Sequence, residues 1–83
     1  MIKVTIARYG RVPTIVGIVA NLEEARTTVK LLDILCAQKA LPEELAWYDE
    51  NTEVWADDLT NGEKFHYMDQ DPTGATDGVW FLA

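Results

Sequence analysis

Residues 22–40 hold the one long stretch of this chain whose apolar side chains recur at helical spacing, and that fixes what the rest must do. Leu22, Ala25, Val29, Leu32, Cys36 and Ala40 fall three or four residues apart, which places them along one stripe of a helix. Asn21 stands where an N-cap is needed, and Glu24 three residues later completes a capping-box pattern. Glu23 and Glu24 suit the positive end of the helix dipole and Lys39 the negative end, and Leu41-Pro42 stops the run. A single amphipathic helix must bury its stripe against something. With no second helix to serve, that cover is a sheet.

The flanking sequence supplies the strands. Ile2, Val4 and Ile6 alternate with Lys3, Thr5 and Ala7 in a strand predicted over residues 2–9. Gly10-Arg11-Val12-Pro13 breaks it, and residues 14–20 form a second strand that is apolar on both faces, with Ile15 and Val19 on one side and Val16 and Ile18 on the other. Such a strand asks for a second cover, from another element or from a partner chain. After the helix, Leu45-Ala46-Trp47-Tyr48 reads as a short strand. Residues 53–59 and 63–68 form a hairpin around Thr60-Asn61-Gly62, and residues 79–82 form a final strand. A three-residue hairpin loop, pairing Asp58 with Lys64 and Trp55 with Tyr67, is preferred because it gathers Leu59, Trp55, Phe65 and Tyr67 on one face. The predicted fold is one α+β domain over residues 1–83, two-layered, with an antiparallel β-sheet packed on one α-helix in the order ββαββββ.

Size limits what such a domain can hold. At 83 residues the chain buries roughly 60–65% of its unfolded surface, which leaves little room for a deep pocket. Its single cysteine, Cys36, excludes an internal disulfide and points to a reducing cytoplasm. The opening residues alternate like a strand and lack the apolar run of a secretory leader, and no segment approaches the ~20 apolar residues that cross a bilayer. No membrane association is expected.

Charge is unevenly placed. Residues 1–41 hold six of the seven lysines and arginines and three of the fourteen acidic residues; the remainder holds eleven acids and only Lys64. Asymmetry of this kind marks an interaction surface, one that repels nucleic acid and attracts basic partners.

Candidate chemistry is sparse. Asp69-x-Asp71-x-Thr73-Gly74 echoes the start of a calcium loop, but Trp80 occupies the position of the closing glutamate, so a solvated turn is the better reading. His66 is the only histidine and has no assured partner for catalysis. Cys36 lies on the buried stripe. The adjacent pairs Glu43-Glu44 and Asp49-Glu50 cannot face one another across a cleft. No phosphate-cradling glycine motif occurs, and no cofactor or metal is expected.

What remains is binding. Trp47 and Tyr48 are neighbours that cannot both point inward from one strand, so an exposed aromatic beside Asp49, Glu50 and Glu53 is a candidate hot spot. With Asp57, Asp58, Asp69, Asp71 and Asp77 these residues form the expected partner-binding set. The expectation is a small acidic, non-catalytic protein-binding module that engages the basic, nucleic-acid-binding surface of a larger protein, its carboxylates standing in for phosphates. In size and charge the chain is similar to small phage and mobile-element inhibitors of defence nucleases, anti-CRISPR proteins among them, although no residue motif carries the likeness. The alternative is a homo-oligomeric domain, a dimer in the simplest case, using the second strand and the off-stripe residues Leu31 and Ile34.

Overall fold

The computed structural model describes residues 1–49, 51–68 and 78–83. Among these, one helix, α1 (Leu22–Ala37), packs on a five-stranded sheet built from β1 (Ile2–Ala7), β2 (Thr14–Val19), β3 (Glu53–Asp58), β4 (Lys64–Met68) and β5 (Val79–Leu82). Sheet order is β2-β1-β3-β4-β5, and every neighbouring pair is antiparallel. The two-layer α+β reading holds. The element order is ββαβββ, because residues 45–48 do not form a strand. Glu43–Leu45 instead make a 3-10 turn, with Leu45 N–H donating to Pro42 O at 2.9 Å and Tyr48 N–H to Leu45 O at 2.9 Å. Those local bonds satisfy the backbone that a ladder would otherwise have to pair.

Helix α1 begins as its sequence dictates. Asn21 Oδ1 accepts from Glu24 N–H at 2.9 Å. The Glu24 carboxylate reaches back to Ala20 N–H at 2.8 Å, one residue before the N-cap itself. The other end comes three residues earlier than the periodicity suggests. Lys39 takes a left-handed backbone, φ 54°, with Lys39 N–H on Cys36 O and Ala40 N–H on Leu35 O. This is a Schellman closure that uses lysine where glycine is usual, so Ala40 leaves the helix and is exposed.

The core lies between α1 and the inner face of the sheet. Val4, Ile6, Ala25, Val29 and Ala56 are almost wholly buried, with Ile2, Leu32, Tyr48 and Val54 around them. Helix and strands meet most closely over β2 and β1, where Thr28 packs above Gly17.

Two irregularities decide which side chains face out. Between β1 and β2, Val4 stands opposite Gly17 but Thr5 opposite Ile15, so Val16 is an extra residue in a β-bulge. The bulge reverses the alternation partway along β2. Ile15 and Ile18 both point away from the helix, whereas Val16 and Val19 pack toward the core. The expected split, with Ile15 and Val19 on one side, is corrected accordingly.

The second irregularity is the β3–β4 turn, in which four residues, Leu59–Gly62, separate the bonded pair Asp58 and Glu63. Asp58 N–H donates to Glu63 O at 2.8 Å, Gly62 N–H returns to Asp58 O at 2.9 Å, and Gly62 sits at φ 75°. The Asp58 carboxylate accepts Thr60 N–H at 2.8 Å and holds the turn. Register follows: Trp55 pairs with His66, Ala56 with Phe65 and Asp57 with Lys64. The preferred three-residue loop is therefore incorrect. Phe65 and Tyr67 pack toward the core, Trp55 faces the other way, and Leu59 is exposed.

Candidate functional site

The face of the sheet opposite α1 carries no second layer among the described residues. One row of side chains crosses all five strands there: Ile15, Thr5, Trp55, His66 and Phe81. Ile15 is 56% exposed and Phe81 50%. Thr5, between Ile15 and Trp55, is the only buried polar residue described. On one side of this row lie Ile18, Lys3, Asp57 and Lys64; on the other lie Ala7, Glu53, Met68 and Val79. Ile18, Met68 and Val79 are also exposed.

Charges on this face offset one another. Asp57 is flanked across the ladder by Lys3 and Lys64, and Lys64 Nζ stands 4.3 Å from the centre of the Trp55 ring. The Trp55 and His66 rings meet edge to face at 6.3 Å. The result is an apolar and nearly neutral surface on a chain whose net charge is −7.

The expected partner-binding residues are dispersed. Tyr48 is buried, and its hydroxyl donates to Asp33 Oδ1 at 2.5 Å. Burial, and then the Asp33 carboxylate, push its pKa far above the ordinary tyrosine range. Trp47 is half-buried; its indole N–H donates to Glu44 O at 2.9 Å, and the Arg11 guanidinium lies 6.0 Å from its ring centre. Of the expected aromatic pair, Trp47 alone keeps part of its surface. Tyr48 offers no surface, and the fully exposed aromatic is Tyr9, at the tip of the β1–β2 turn where Gly10 takes φ 82°.

Asp49 forms a salt bridge with Arg8, which also donates to Trp47 O at 3.0 Å. The backbone N–H of Asn51, and then Arg8, hold the Asp49 carboxyl below its ordinary range. Glu53 and Asp57 lie on the uncovered sheet face, while Asp58 is spent in the hairpin turn. Glu50, Asp69, Asp71 and Asp77, and with them the calcium-like stretch, lie outside the described residues. Leu31 and Ile34 are exposed on α1.

A cavity of about 60 Å³ lies between α1 and β3, lined by Val29, Asp33, Tyr48, Asp49, Thr52, Val54 and Tyr67. Both of its carboxylates are engaged, one by Tyr48 and one by Arg8. Among the described residues no group of three or more His, Cys, Asp or Glu is placed to hold a metal ion, and no helix is long and apolar enough to cross a membrane. Cys36 Sγ donates to Tyr48 O at 3.4 Å and packs at the core's edge.

The uncovered face was only half legible in the sequence. The two-sided apolar character of residues 14–20 announced it. The bulge that gathers Ile15 with Ile18, and the loop length that turns Trp55 outward, carry no sequence mark. No protein-family description, curated protein or solved structure matches the chain.

Proposed function

We propose that this chain is a non-catalytic protein-binding module whose docking surface is the uncovered sheet face centred on Trp55, His66 and Phe81. One observation carries the reading: Ile15, Ile18, Met68, Val79 and Phe81 are all exposed on a single face. An exposed apolar face of this kind, interspersed with polar groups, is a mark of a partner site. The partner's chemistry follows from charge. A body carrying −7 that presents a neutral apolar window fits a protein whose own apolar patch is ringed by lysine and arginine. The opposite net charge of the two bodies steers the encounter, and the apolar centre holds the complex.

Inhibition of a nucleic-acid-binding protein is the form of this reading in which the acidic body of the chain covers a phosphate-binding surface. It draws on the net charge, while the ties of Asp49 to Arg8 and of Asp57 to Lys3 and Lys64 reduce the field those two carboxylates project.

The test is capture of partners from the cells that express the protein, comparing wild type with Phe81→Asp at low and high salt. The expected result is a basic protein retained by wild type, weakened by salt and lost with Phe81→Asp. Capture of the same proteins by both forms would contradict the reading. If duplex DNA displaces the chain from its partner, the inhibitor form is supported; coexistence of DNA and chain on the partner excludes it.

A further inference from the structure

We propose that two copies of this chain pair antiparallel along the free edge of β2, about a two-fold axis at the Val16–Gly17 peptide. The inference shares Ile15 and Ile18 with the docking surface but does not rest on that reading, because pairing at the edge leaves Trp55, His66 and Phe81 open.

β2 is a sheet edge, and its sequence Thr-Ile-Val-Gly-Ile-Val contains no charge. Edge strands are ordinarily protected from pairing by lysine, inward-pointing charge, proline or a β-bulge, and of these β2 itself holds only the bulge. A chain with 25% charged residues places none of them here. The bulge then makes the strand self-complementary. From Thr14 to Val19 the side chains face in, out, in, in, out, in. That order is the same read backwards. Directly opposed residues in an antiparallel pair share a face. A two-fold axis at the strand's centre therefore matches all six positions at once, with Thr14 opposite Val19, Val16 opposite Gly17 and Ile15 opposite Ile18 of the second copy.

Strand β5, the other edge, is also uncharged, but it alternates out, in, out, in. Centred self-pairing there would set outward residues against inward ones, so faces match only with the strands displaced.

Three further features fit a second copy as the occupant. Ile15 and Ile18, each more than half exposed, would form one cluster of four isoleucines with their counterparts. The ends carry opposite charge: Arg11 precedes the strand and Glu23, in the first turn of α1, follows it, both exposed, so antiparallel pairing brings ends of opposite sign to the same side of the pair. On the inner side Thr28 stands above Gly17, next to the axis, and Leu31 lies one turn along within about 60° of it on the helix surface. Leu31 is 55% exposed and would meet α1 of the other copy. The pair would hold one continuous ten-stranded sheet and two adjoining docking faces.

Sedimentation equilibrium over a wide concentration range reads the association directly. Wild type should approach twice the 9.3 kDa chain mass. The double variant Ile15→Lys/Ile18→Lys sets lysine against lysine and should sediment as a folded monomer by circular dichroism. Ile15→Glu/Ile18→Glu should do the same, and mixing the two variants should restore the dimer. Leu31→Lys, on the helix surface, should weaken association without touching the strand. Phe81→Asp should leave the dimer intact, which separates this interface from the docking face. A wild type that stays monomeric throughout, a lysine variant that still dimerises, or charge variants that fail to combine would overturn the proposal.

Discussion

The two faces of the sheet are built from the same strands and differ in what covers them. On the inner face Val4, Ile6, Val54 and Ala56 lie under α1, each no more than 4% exposed. On the outer face, one residue along the same or neighbouring strands, the large apolar side chains stay about half in water. A side chain that packs against a helix contributes to folding; one left in water contributes little until something covers it. A domain of this size cannot exchange core for surface without loss. The inner face builds the fold, and the exposure of the outer one is what the proposed docking role rests on.

Unfolding measurements sharpen that contrast most strongly at Ile6. Ile6→Ala removes fully buried methyl groups and leaves a cavity in the core, and should lower stability by about 3 kcal/mol in urea titrations. Tyr48→Phe tests the border of the core. It deletes the hydroxyl bond to Asp33, an exposed carboxylate that water can satisfy, so the loss should be about 1.5 kcal/mol. The folded-state pKa of Tyr48 is raised above that of the unfolded chain. Its contribution is thus complete below about pH 10 and disappears as pH climbs beyond the ordinary tyrosine pKa toward the folded value. Wild type should show that alkaline decline in its urea midpoint, and Tyr48→Phe should flatten it.

Lys39→Gly should raise stability by about 1 kcal/mol, since glycine adopts the left-handed closure without the steric penalty of a Cβ. At the acid end Asp49 gives the smallest effect. Its folded pKa is depressed, so its contribution is present above the ordinary carboxylate pKa and is lost as pH falls through the folded value. Asp49→Asn should remove that acid-side slope.

Much of the inner layer could be read from residue order. Alternation in Ile2–Ile6, the stripe of Ala25, Val29 and Leu32, and the Asn21 cap express local periodicity and local hydrogen bonding, which a sequence displays openly. The failures came where geometry depended on a single extra residue. Residues 45–48 carry strand-forming aromatics, yet Pro42 and the following acids favour a tight turn whose bonds close locally. One residue in the β2 bulge set Val16 and Ile18 on opposite faces, and one in the β3–β4 loop turned Trp55 away from Phe65 and Tyr67. Such shifts reverse every subsequent side chain while leaving composition unchanged. The acidic second half was equally visible in the sequence, but Arg8, Lys3 and Lys64 reach three-dimensional neighbours in it that linear order keeps apart.

The claim that the outer face serves binding is tested most directly by reading stability and partner capture side by side in Phe81→Asp. The account predicts an unfolding free energy within about 1 kcal/mol of wild type, as for an exposed edge-strand position, together with loss of the captured partner. A variant that folds as well as wild type and still retains that partner would contradict it.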